Sequence, residues 1–251
     1  MIATTSRAKA VHICADIAAA HVLGPGGQPR PRVRSGWDTL MRLNRLCAAA
    51  GIQDQLSLVA EQATGDQVSA ALAEAVAAMD PDGLLVLTFT GHSDCQLVDD
   101  RGERIFQWCL YDGEVHLAEI AARLAALPAT AWLIVVADTC YAAALARFAD
   151  LACTVVLLAA CAENQTTISG PTSEFVVRLV DLVYPDGVRN PDCTDYRWLR
   201  AQLQRDTPDA ERPEVWTNRL EAWLHRPFDL ETPANSESHL VAEMAQSARR
   251  R

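Results

Sequence analysis

LLVLTFTGHSDC, residues 84–95, is a run of apolar and β-branched side chains that ends abruptly at Gly91, His92 and Ser93. Its first part has none of the apolar–polar alternation of a half-solvated strand. It therefore reads as a strand covered on both faces, as in a parallel sheet flanked by helices. The residues after it are chemically different: an imidazole, a hydroxyl, a carboxylate and a thiol in succession. A second run of the same kind, AWLIVVA at 131–137, breaks into Asp138, Thr139 and Cys140 before turning alanine-rich.

On either side of these runs, strand-like and helix-like segments alternate. AVHICADIA (10–18), LSLVA (56–60) and CTVVLLAA (153–160) read as further strands. The segment WDTLMRLNRLCAAA (37–50) places Leu40, Leu43, Leu46 and Cys47 at helical spacing and stops at Gly51. Helices are also expected over 66–79, 114–127, 171–184 and 195–205, with a short one from 141. The stretches 24–36 (GPGGQPRPRVRSG) and 91–113, the latter rich in Asp and Gly, read as irregular. Strands alternating with helices of this length build βαβ units, hence an α/β fold with a mostly parallel, doubly wound central sheet and helices on both faces. In such sheets the chemistry gathers at the carboxyl ends of the strands.

The 251 residues, half of them hydrophobic, suffice for a sizeable core, and the formal net charge is −10. An acidic surface argues against nucleic acid or an anionic membrane as partner, since both require clustered Lys and Arg, and it suits cationic ligands. The apolar stretch near the N-terminus is interrupted by His12 and Asp16, so it reads neither as a signal peptide nor as a membrane span. A cytoplasmic location is the resulting expectation, with the eight cysteines as free thiols. None stands in a CxxC or CxxH pair, which argues against structural zinc. The absence of GxGxxG and GxxxxGK[ST] motifs argues against a nucleotide-binding domain.

Two strand ends thus carry reactive groups. The runs ending at His92 and Cys140 are joined by one crossover, so the strands are plausible neighbours, with both residues emerging at the same sheet edge. A thiol becomes a strong nucleophile beside an imidazole that can take its proton. Free cysteine also packs as a small hydrophobe, the reading given to Cys14, Cys47, Cys153 and Cys161. On the residues alone, packing and catalysis both stay open for Cys140. If the chain runs extended from Asp138 to Cys140, their side chains face the same way. A carboxylate there would favour Arg or Lys through charge-assisted hydrogen bonds.

The set LLVLTFTGHSDC, WCLYDG and LIVVADTCYAAA resembles the caspase-like cysteine peptidases, most of all the metacaspases and their bacterial relatives, in which one apolar strand ends in a GHG-type motif and another in DSC. The histidine of that family precedes its cysteine by roughly 50 residues, as His92 precedes Cys140 here. The resemblance runs from about residue 9 to about residue 230 and implies a caspase-like three-layer sandwich. The peptidase domain would occupy residues 1–228, with a polar tail over 229–251. It also implies a cysteine endopeptidase with Cys140 as nucleophile and His92 as general base and acid. The backbone N–H groups of Ser93 and Cys140 would form the oxyanion hole. Asp138 would line the pocket for an Arg or Lys preceding the cleaved bond. Asp38, next after Gly36 and Trp37, resembles the second acid of that pocket, and a helix N-cap is its alternative role.

The implied partner is a protein or peptide substrate with a basic residue before the cleaved bond, together with an activating partner or upstream protease in a bacterial defence or cell-death pathway. No cofactor is expected. Calcium, needed by some metacaspases, would find oxygen ligands in Asp94, Asp99, Asp100 and Glu103, although the run lacks a fixed spacing and a solvated acidic loop is the simpler reading. The chain departs from the family where Ser93 replaces a glycine and where Tyr141, Ala142 and Ala143 come after the cysteine. Those departures motivate an alternative, a catalytically idle caspase-like scaffold that binds a basic peptide. A loop bearing Arg30, Arg32 and Arg34 is the candidate for proteolytic processing.

Overall fold

Hydrophobic side chains on successive residues of a strand point to opposite faces, and here both faces are covered. The computed structural model describes residues 6–15, 36–97, 104–167, 172–205, 207 and 212–229. Within them lie β1 (Ser6–Ala15), α1 (Gly36–Ala49), β2 (Asp54–Val59), α2 (Gly65–Ala77), β3 (Met79–Gly91), β4 (Ser93–Leu97), β5 (Arg104–Cys109) and β6 (Glu114–His116). The remaining elements are α3 (Leu117–Leu124), β7 (Trp132–Asp138), β8 (Thr154–Ala159), α4 (Glu174–Val183), α5 (Tyr196–Gln204) and β9 (Glu214–Thr217), with a 3-10 segment at Ala142–Asp150 after β7.

Six strands form the main sheet in the order β2-β1-β3-β7-β8-β9, all parallel except β9, which closes one edge antiparallel to β8. Along β7, Leu133, Val135 and Ala137 pack into one core with α2, α3 and the Ala142–Asp150 segment. Ile134 and Val136 enter a second core with α1, α4 and α5. The result is a three-layer α/β sandwich, as the uninterrupted apolar runs implied. Helix starts are capped locally: Thr64, Ser173 and Asp195 each accept a backbone N–H of the first turn of α2, α4 and α5.

The stretch 91–113 differs from expectation. Instead of an irregular loop it contributes β4 and β5 to a small antiparallel sheet, completed by β6. This sheet docks through Trp108, whose ring stacks on Phe89 of β3 with centroids 4.2 Å apart. The expected helix at 114–127 is correspondingly shorter, because 114–116 pair with β5 as β6. The Arg30, Arg32 and Arg34 loop, the acidic residues Asp99, Asp100 and Glu103, and the tail 230–251 lie outside the described residues.

Candidate active site

The register of the central strands determines which residues meet at the carboxyl edge. Thr90 of β3 is paired with Asp138 of β7, so both chains leave the sheet in step, toward Gly91–His92 on one side and Thr139–Cys140 on the other. Two hydrogen bonds join the exits. The buried Thr139 hydroxyl donates to the Gly91 carbonyl at 2.8 Å, and the Ser93 hydroxyl donates to the Cys140 carbonyl. On its other side Gly91 packs tightly against β1: a Cβ there would sit 3.1 Å from the Ala15 carbonyl and 3.1 Å from the Phe89 ring.

Ser93 therefore turns its hydroxyl to the backbone of Cys140. Its main chain has a defined orientation as well. Cys109 N–H donates to the His92 carbonyl at 2.9 Å, which makes His92–Cys109 the hydrogen-bonded pair of the β4–β5 ladder. The next pair, Ser93–Trp108, is then of the non-bonded kind, with the Ser93 N–H directed away from β5.

From the other side, the connection after β8 grips the turn that carries Cys140. Thr167 N–H donates to Cys140 Sγ at 3.4 Å, with the Thr167 hydroxyl 3.8 Å from the same sulfur. Tyr141 N–H donates to the Gln165 carbonyl at 2.8 Å, and Ala143 N–H to the Cys161 carbonyl at 3.1 Å. The Cys161 thiol lies 3.4 Å from the Thr139 carbonyl and 3.3 Å from that of Gln165. Burial pushes this thiol up to about 11, so it remains a neutral donor. Tyr141 holds φ of 53°, a left-handed conformation costing a non-glycine residue of the order of 1 kcal/mol. His92 and Cys140 both retain partial exposure.

Asp138 and Cys140 do not lie on one extended segment. The strand ends at Asp138, and Thr139 and Cys140 form a bend and a turn, so the alternation assumed for an extended segment stops before the thiol. The Asp138 carboxylate instead meets α1 and α4: Ser173 donates to Oδ1 at 2.8 Å, and Thr39 to Oδ2 at 3.5 Å. Burial pushes the carboxyl up to about 6, against the opposing pull of those two hydroxyls, although the residue as a whole keeps some exposure.

Asp38 sits within the first turn of α1 rather than capping it, and its carboxylate pairs with Arg42 at 2.8 Å. The α1 residue that reaches Asp138 is the adjacent Thr39. Nothing local in the sequence pointed to Thr39, Thr167 or Ser173, because all three partnerships span distant segments.

Cys14, Cys47, Cys153 and Cys161 are buried, as packing cysteines should be. Asp94 accepts the N–H of Cys95 at 3.1 Å. Among the described residues, no three or more His, Cys, Asp or Glu side chains are gathered as a metal ion would require. No helix among them is long and apolar enough to cross a membrane.

No protein-family model matches the chain, and no curated protein matches it. Among solved structures it is similar to the crystal structure of protein GSU0716 from Geobacter sulfurreducens, with a TM-score of 0.71 and 20% identity over 88% of this chain and 97% of that one. At that identity the likeness is one of fold. It is also similar to the crystal structure of caspase-1 from Spodoptera frugiperda, with a TM-score of 0.49 and 10% identity over 84% of this chain and 86% of that one.

Proposed function

We propose that the protein is a cysteine endopeptidase that cleaves after Arg or Lys. Its nucleophile is Cys140 and its general base and acid is His92. The reading is carried by the in-step exit of β3 and β7, tied by the Thr139–Gly91 and Ser93–Cys140 hydrogen bonds, with the thiol-bearing turn on one chain and the imidazole on the other. A thiol and an imidazole at one edge of a rigid sheet are the parts that acyl transfer needs.

Cys140 gives its proton to His92, and the sulfur attacks the scissile carbonyl. The oxyanion forms against the N–H groups of Ser93 and Cys140. Collapse expels the amine, which takes its proton from His92, and leaves a thioester on Cys140. A water molecule, deprotonated by His92, then releases the acid and restores the thiol. Asp138 is the counter-charge for the substrate's basic side chain. Two of its roughly four lone-pair sites are taken by hydroxyls, which leaves room for a guanidinium. The substrate is a protein or peptide with a basic residue before the cleaved bond, and calcium or an upstream protease is the candidate trigger.

Fluorogenic peptides ending in Arg, Lys or Asp, assayed with and without calcium, test the reading. Turnover of the Arg and Lys peptides should fall by about a thousandfold or more in Cys140→Ala and His92→Ala. Turnover that survives Cys140→Ala excludes this chemistry. If a peptidyl electrophile fails to label Cys140 while a basic peptide still binds Cys140→Ala, the chain is a binding scaffold. The departures at Ser93 and Tyr141 favour that second reading.

A further inference from the structure

We infer that Thr39 and Ser173 are positioning residues for basic-residue recognition, their hydroxyls holding the Asp138 carboxylate oriented and receptive to a guanidinium. The inference rests on Asp138 as the counter-charge for the substrate and assigns that site two further determinants on separate helices. Thr39 lies in the first turn of α1 and is wholly buried. Ser173 is the N-cap of α4, where its oxygen accepts Val176 N–H at 3.2 Å while its proton goes to Asp138 at 2.8 Å. The hydroxyl is thus a relay: the helix N–H polarises it, and the polarised O–H binds the carboxylate more strongly. The positive end of α4 acts on the carboxylate in the same sense.

The physical need is specific. A desolvated carboxylate without donors takes up a proton, and a neutral acid has no charge to offer a cation. The neighbouring groups do little to prevent this. Asp38 is turned to Arg42, Glu174 beside Ser173 is exposed, and Cys161, just past β8, is a neutral thiol that feels Asp138. The two hydroxyls are what favour the charged form. Ser173 and Thr167 also belong to one β8–α4 connection, so the segment that touches the Cys140 sulfur also orients the acid.

Calorimetric binding of benzamidine, a soluble cationic stand-in for an arginine side chain, tests the inference without requiring turnover. Binding should weaken about tenfold in Ser173→Ala and in Thr39→Val, return in Ser173→Thr and Thr39→Ser, and vanish in Asp138→Asn. Ser173→Gly separates donation from capping, because glycine caps a helix tolerably but offers no hydroxyl. It should bind as weakly as Ser173→Ala. In peptide assays the loss should fall on KM for Arg substrates, with the acid limb of the pH profile moved to higher pH. Equal benzamidine binding by wild type and both hydroxyl variants overturns the inference and leaves the peptidase reading standing. Failure of the wild type to bind also overturns the inference, and turnover of the Arg and Lys peptides then decides the peptidase reading on its own. The predicted differences in binding without any peptide turnover support the inference and remove the peptidase reading.

Discussion

A carboxylate at the mouth of a buried strand is under opposing pressures, and Asp138 makes them measurable. Burial raises its pKa from the ordinary 3.8 to about 6, while Ser173 and Thr39 pull it back. Between pH 4 and 6 the folded chain therefore binds more protons at this position than the unfolded chain does. Its contribution to stability is complete below about pH 4 and is lost as the pH rises through 6. A shift of this size corresponds to at most about 3 kcal/mol. Asp138→Asn, isosteric and uncharged, removes the titration. Denaturant melts from pH 4 to 7 should show wild-type stability falling relative to Asp138→Asn across that window. Parallel curves would mean that the carboxyl is better solvated than its surroundings imply.

His12 works at the level of elements, since it joins three adjacent strands. Gln55 of β2 donates its amide to the carbonyls of Ile52 at 2.7 Å and Asn44 at 3.3 Å, which turns its oxygen toward His12. His12 Nε2, 3.1 Å away, is then the protonated nitrogen, and Nδ1 accepts from the Thr88 hydroxyl of β3 at 2.9 Å. Burial lowers this imidazole from 6.5 to about 4, so it is neutral at physiological pH. The sign is opposite to that of Asp138: stability from His12 is present above pH 6.5 and lost as the pH falls through 4, by up to about 3 kcal/mol. His12→Leu should be less stable than wild type at pH 7.5 but lose less on acidification, as read from melts across pH 4–7.5. An unchanged slope would assign the acid sensitivity to other groups.

The same scale explains what the sequence revealed. β3, β7 and β8 were legible because strands buried on both faces need uninterrupted apolar runs, and the end of α1 because Gly51 is a local signal. β4 to β6 were not, since SDCQL, RIFQWC and EVH are short and owe their pairing to Trp108 stacking on Phe89. β9, only four residues long, is held by the side chain of Asn218. That amide accepts Val155 N–H at 2.8 Å and donates to the Cys153 carbonyl at 3.0 Å. His92 and Cys140 could be proposed from their strand ends. Thr39, Thr167 and Ser173 depend on tertiary approach, which no spacing encodes.

At the scale of the whole molecule, two cores share one sheet, and the first continues past the carboxyl end of β7 through Ala142, Ala144 and Cys161, with Tyr141 packed against it. The chain as a whole carries a formal net charge of −10. If basic peptides are the substrates, this charge does work before contact is made. It raises the local concentration of cations and speeds encounter over a range set by the Debye length, about 30 Å at 10 mM salt and well under 10 Å at 300 mM. Long-range attraction should act on kcat/KM, which includes encounter, while Asp138, close to the bound cation, is screened far less. Raising NaCl from 10 to 300 mM should lower kcat/KM for an Arg peptide by about three- to tenfold. The same peptide with citrulline, which keeps the shape of arginine without its charge, should be cleaved slowly and show a much flatter salt dependence. Asp138→Asn should lower the Arg rate at every salt concentration yet keep most of the slope, because it removes one charge of many. Equal slopes for arginine and citrulline would assign the salt effect to the protein's conformation and leave the acidic surface with no part in substrate capture.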